Sequence, residues 1–105
     1  KRVHDLCRSR GVPVWCGGMH EFGVGRAANV AMNSLPGFTL PGDISSYHER
    51  YREDIVEPPI VAERGIMPVP LDRPGLGHEV VEERLRAALV REERVDLDAA
   101  VAGGR

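Results

Sequence analysis

Aromatic residues are scarce, making up 5% of the 105-residue chain. Few flat π surfaces are therefore available for stacking bases, which argues against a single-stranded nucleic-acid platform. A basic excess is missing as well. Lys and Arg number 14 against 16 Asp and Glu, giving a net charge of −2, whereas a nucleic-acid binder carries a positive face. No apolar run approaches the ~20 residues that cross a bilayer as a helix. The opening residues Lys1-Arg2-Val3-His4-Asp5 hold neither a Met nor an apolar stretch of secretory type. Cys7 and Cys16 are the only cysteines, without C-x-x-C or zinc spacing. Two cysteines outside any framework predict free thiols in a reducing, cytoplasmic setting. These absences predict no nucleic-acid partner and no membrane span.

What is present is ordinary for a globular chain: 42% hydrophobic and 29% charged residues. The length suits one small domain with a modest core. The missing Met and an opening that reads as mid-helix predict a piece of a longer polypeptide.

Lys1–Arg10 has Val3, Leu6 and Cys7 at helical spacing, and Gly11 suits the left-handed residue that closes a helix. Val12–Cys16 is a short apolar run bounded by glycines and predicts a buried strand. A glycine-dense loop follows, from Gly17 to Gly25. Arg26–Leu35 is Ala-rich and stops at Pro36, as a helix would. Phe38–Leu40 predicts a second strand. This alternation over some 40 residues is the rhythm of an α/β fold. The character then changes. Ser46–Asp54 is polar and predicts a surface helix or structured loop, with Glu49, Arg50, Arg52, Glu53 and Asp54 on a solvated face. Ile60–Ala62 and Ile66–Val69 read as extended pieces around a Glu63-Arg64-Gly65 turn. Val81–Val90 reads as a helix, and 91–105 as a frayed tail.

Gly23-Val24-Gly25-Arg26-Ala27-Ala28 formally matches G-x-G-x-x-A, yet Gly23 lies seven residues beyond Cys16, too far for the tight turn of a dinucleotide fold. The helix N-terminus there can still face a carboxylate or phosphate. Gly17-Gly18 is either a plain turn or a place where backbone approaches a ligand. Asp43 is either a functional carboxylate or the centre of a local Asx-turn. His20 and Glu21 are neighbours and point apart, so they make no metal pair. His4, His48 and His78 sit among charges and read as surface residues. Cys7 and Cys16 read as small buried hydrophobes.

Four segments in series carry a resemblance: Pro13–Ala27 (PVWCGGMHEFGVGRA), Ser34–Asp43 (SLPGFTLPGD), Asp54–Pro59 (DIVEPP) and Pro74–Gly77 (PGLG). Together they resemble the C-terminal part of the o-succinylbenzoate synthase / N-acylamino acid racemase family of the enolase superfamily. The resemblance implies an α/β architecture, the C-terminal fragment of a modified TIM (β/α) barrel plus the return into an α+β capping domain. Residues 1–54 would be barrel, 55–90 capping segment and 91–105 tail. It also implies metal-assisted proton abstraction next to a carboxylate, with Mg²⁺ or Mn²⁺ holding an enediolate. Synthase members then dehydrate on the way to menaquinone; racemase members reprotonate an N-acylamino acid.

The family's two catalytic lysines and three acidic metal ligands lie on strands that would precede Lys1, the one lysine of this sequence. The resemblance therefore implies no catalytic residue and no metal ligand here, and an inactive isolated chain. What it assigns is substrate contact: Gly18, Met19 and His20 in the loop after the seventh strand with Glu21 in support, and Arg50 and Tyr51 after the eighth. His20 stands where the family usually has an aliphatic residue, and Arg50 replaces one aromatic of a pair. An Arg can pair with a second carboxylate, such as that of a succinyl group. The implied partner is a small-molecule carboxylate, and the parent is expected to be a homo-oligomer. A different class stays open: a non-enzymatic module whose glycine loops hold an anion.

Overall fold

The computed structural model describes residues 1–94. Among the described residues three helices form, α1 (Arg2–Ser9), α2 (Gly23–Asn33) and α3 (Glu82–Ala88), along with two short strands, β1 (Val56–Glu57) and β2 (Glu79–Val80). A single 3-10 turn spans Tyr47–Glu49. The expected tail lies mostly outside the described residues; Arg91–Arg94 adopt no regular structure.

The first half is an extended–helix–extended unit. Val14 and Phe38 form a parallel bridge on either side of α2. The Val14 N–H donates to the Gly37 carbonyl at 3.0 Å and the Asp43 N–H to the Cys16 carbonyl at 2.9 Å. The α/β alternation is thus present, but the expected strands Val12–Cys16 and Phe38–Leu40 shrink to this one bridge. Pro13 has no N–H to give, and Gly17-Gly18 follow at once, so a regular ladder cannot extend either way.

His4 is a correction. It is buried, at 5% exposure, and not on the surface. Its Nε2 accepts the Gly37 N–H at 2.9 Å, so the ring proton sits on Nδ1 and is donated to Asp5 at 2.9 Å. The ring also stacks on Phe38. Gly37 has to be glycine here, because a Cβ would come within 2.7 Å of that Nε2. Asp5 bonds Lys1 at 2.7 Å, and these two hydrogen bonds, Lys1's first, hold its carboxyl below the ordinary value. His78 is half-buried and its Nδ1 lies 2.7 Å from the Pro58 carbonyl. His48 is exposed as expected. Cys16 is buried while Cys7 is only half-buried, and both are free thiols.

The second half packs back onto α2. Ala27, Val30 and Ile60 form the buried cluster, with Ile44, Met67 and Val69 against it. Ser46 is tied to this return: its hydroxyl accepts the Ala62 N–H at 2.9 Å, and Glu49 closes a capping box on the Ser46 N–H at 3.0 Å. The Glu63-Arg64-Gly65 turn forms as expected, with Glu63 bridged to Ile66 and positive φ at Arg64 (51°) and Gly65 (79°). Those two angles suit a tight hairpin turn. β1 and β2 pair antiparallel, Val56 opposite Val80. Sequence periodicity does not reveal this pairing, since two-residue strands carry no alternation. Arg84 locks α3 onto β1 through Glu53 at 2.9 Å and Glu57 at 2.6 Å, and the Glu57 bond leads the causes that raise its pKa.

Ile60 is 3% exposed and joins the 60–69 segment to α2. Ile60→Ala is expected to lower unfolding free energy by about 2–5 kcal/mol, measured by urea denaturation of the protein that carries this sequence.

Candidate functional site

Two loops meet beyond the parallel bridge: residues 17–22, leading into α2, and residues 41–51, leading to the 3-10 turn. They meet at backbone level. A Cβ on Gly18 would overlap the Asp43 carbonyl oxygen, so only glycine lets the chains approach this closely. The second glycine serves loop-to-loop contact. Asp43 lines the cleft beside it.

The resulting cleft has a volume of about 230 Å³ and is lined by Gly18, Met19, His20, Asp43, Ser45 and Arg50. Four of the six residues assigned to substrate contact by resemblance thus share one wall. The other two lie behind it. Glu21 turns its carboxylate inward, accepting the Met19 N–H at 3.0 and 3.1 Å and the Asn29 amide at 3.1 Å. The Met19 N–H is therefore engaged within the loop. Tyr51 donates its hydroxyl to the His20 carbonyl and stacks its ring on Phe22 at 4.5 Å between centroids. Arg50 is exposed, and among the described residues its guanidinium forms no ion pair, reaching only the Glu49 carbonyl at 3.4 Å.

Beneath the wall lies a group that the sequence reading placed on a solvated face. Asp54 is 2% exposed and Arg26 1%. Asp54 Oδ2 pairs with Arg26 at 2.8 Å, and Oδ1 accepts the N–H groups of Gly23 and Ile55 at 2.7 Å each. The second nitrogen of Arg26 donates to the Glu21 carbonyl at 2.8 Å. So the anion at the α2 N-terminus is internal: Asp54 occupies the position where an outside carboxylate was expected. The same contact explains why α2 begins at Gly23, three residues before the expected start. A Gly23 Cβ would overlap a Val56 methyl and lie 2.9 Å from Asp54 Oδ1. A signal for this was present in the sequence. Arg26 shares a helix face with Ala27 and Val30, and a basic residue on an apolar face needs a buried acid. Asp54, followed directly by Ile55-Val56, is the acid entering the core.

Among the described residues no three His, Cys, Asp or Glu side chains converge as a metal site would require. The Asp54 carboxylate is enclosed by internal donors, and that of Glu21 is engaged by Met19 and Asn29. These residues do not fit a divalent ion, and no chemical step is assigned to one here. No helix of the described residues is long and apolar enough to cross a membrane.

With the geometry in view, the comparisons with known proteins fall into one group. The family model described as "Enolase C-terminal domain-like" matches residues 1–84, and the chain belongs to that family. Its sequence is 56% identical over 85 residues to an N-succinylamino acid racemase of Amycolatopsis sp, covering 81% of this chain and 23% of that protein. It is 51% identical over 80 residues to an o-succinylbenzoate synthase of Geobacillus stearothermophilus, covering 76% and 21%. A solved structure from Enterococcus faecalis V583, described as an unknown member of the enolase superfamily, superposes with a TM-score of 0.75 at 38% identity, over 82% of this chain and 23% of that one. The chain therefore spans less than a quarter of the length of these relatives.

Arg26→Met would leave the Asp54 carboxylate buried without its counter-charge. The expected loss is about 3–5 kcal/mol. Comparing denaturation midpoints of Arg26→Met and of Arg26→Met/Asp54→Asn checks this: the double variant should recover stability, since the unpaired charge is gone while the Asn amide oxygen still accepts the Gly23 and Ile55 N–H groups.

Proposed function

We propose that this chain forms the substrate-facing wall of an enolase-superfamily enzyme acting on a small carboxylate bearing a succinyl group, either as an o-succinylbenzoate synthase or as an N-succinylamino acid racemase. The observation that carries the proposal is the cleft of Gly18, Met19, His20, Asp43, Ser45 and Arg50. The relatives' names supply the chemistry, since o-succinylbenzoate and an N-succinylamino acid both bear a succinyl group. In this proposal residues 1–54 belong to a (β/α) barrel and 55–90 to the return toward a capping domain, with the rest of the active site supplied by polypeptide outside this sequence.

Each residue then has a task. Arg50 pairs with the remote carboxylate of the succinyl group, a charge-assisted contact. Met19 packs against the apolar body of the substrate and excludes water. His20 presents a ring that donates or accepts a hydrogen bond at a polar side group. Asp43, in the same cleft lining, repels a carboxylate and so biases it toward Arg50. The acid–base steps, and the Mg²⁺ or Mn²⁺ that supplies charge stabilisation in such an enzyme, are left to groups outside this chain. The racemase is the second reading, supported by 56% identity to a protein of that name.

The test is to assay the full-length polypeptide carrying this sequence, with Mg²⁺ or Mn²⁺, on the dehydration substrate of o-succinylbenzoate synthase and on an N-succinylamino acid. Turnover of at least one is expected; the 105-residue chain alone should turn over neither. Activity in the isolated chain, or none in the full-length protein, would overturn the proposal, the latter in favour of an anion-binding module.

His20→Leu is expected to change the ratio of kcat/KM between the two substrates by about ten- to a hundred-fold, the value of one hydrogen bond to a charged group. A ratio within threefold of wild type would remove His20 from the specificity residues.

A further inference from the structure

The buried pair Arg26–Asp54 touches no cleft surface, yet one hydrogen-bonded chain runs from it to the cleft wall. Asp54 holds Arg26 at 2.8 Å, Arg26 holds the Glu21 carbonyl at 2.8 Å, and the Glu21 carboxylate holds the Met19 N–H at 3.0 and 3.1 Å. Asn29 fixes the same carboxylate from α2 at 3.1 Å. Met19 itself is 74% exposed and has little packing of its own, so its place depends on the N–H bond behind it. His20, the next residue, is held through its carbonyl by Tyr51.

We propose that Asp54, Arg26 and Glu21 are positioning residues that fix Met19 and His20 against the substrate. This deepens the functional reading above and rests on it. Two features favour it over a purely structural role. The chain of contacts ends on the loop backbone at the cleft and not on the apolar cluster of Ala27, Val30 and Ile60. Moreover, both oxygens of the Glu21 carboxylate share the one Met19 N–H, in a loop whose Met19 is 74% exposed. The arrangement also makes the cleft wall depend on where the chain enters β1, because Asp54 bonds the Ile55 N–H at 2.7 Å.

Two variants of the full-length protein test this. Asp54→Asn keeps an acceptor for Gly23 and Ile55 but turns an amide toward Arg26. Glu21→Gln, at the half-buried end, leaves the core untouched and serves if Asp54→Asn fails to fold. The wall binds substrate and does not move protons, so KM should rise roughly tenfold or more with kcat within about threefold, the signature of lost uniform binding. Amide hydrogen exchange at Met19 should accelerate at least tenfold in the same variants. Glu21→Asp, which keeps the charge on a shorter stem, should recover part of both effects. A purely structural role would lower the amount of active protein and leave KM unchanged. Unchanged KM in an active variant, or unchanged Met19 exchange, overturns the proposal. If the wild-type protein turns over neither substrate, the functional reading fails on its own. The exchange arm then still decides: acceleration in the variants supports the fixing of Met19, and none overturns it.

Discussion

The carboxylate of Asp54 is enclosed where the start of α2 meets the entry to β1. One oxygen takes two backbone N–H groups, from the first residue of α2 and from the residue entering β1, and the other takes a guanidinium. A buried charge persists only where every lone pair is directed at a donor, and here all the donors come from the protein. The consequences spread outward. The helix starts where Asp54 caps it, the return segment is pinned to that start, and the loop above inherits its position through Arg26. Without the carboxylate the two halves would still share an apolar cluster and the Tyr51–His20 bond, but the start of α2 would lose its direct tie to the entry of β1.

The α/β alternation could be read from the sequence because glycine and proline punctuate it: Gly11, Gly17-Gly18 and Pro36 each bound an element. Helix α1 and the Glu63-Arg64-Gly65 turn follow from local chemistry and form where expected. What local chemistry does not encode was read less well. His4 looked like a surface residue because its neighbours are charged, yet its partner, Gly37, is thirty-three residues away. Asp54 sits at the end of a charged run and its partner lies twenty-eight residues back. The β1–β2 pairing joins Val56 to Val80 across a long loop. Each of these depends on tertiary contact that no window of ten or twenty residues contains.

The cleft shows the same division. Family resemblance located the two loops, and the structure brings Gly18, Met19, His20 and Arg50 to one wall. It sorts Glu21 and Tyr51 differently, behind the wall, where one holds a backbone N–H and the other a backbone carbonyl. Sequence position cannot distinguish a residue that lines a cleft from one that braces it, because adjacent side chains point to opposite sides of the chain. Orientation had to come from the hydrogen bonds.

The crossing of Gly18 over the Asp43 carbonyl has a consequence for how this cleft can be remodelled. Its floor is made of two main chains in contact, and a main chain cannot be trimmed or enlarged by exchanging one residue for another. Depth is therefore set by the path of the loops, while width and polarity rest with the side chains of Met19, His20 and Arg50. Attempts to admit a bulkier guest would have to work sideways, through those three positions, and a deeper cavity would require a different loop length.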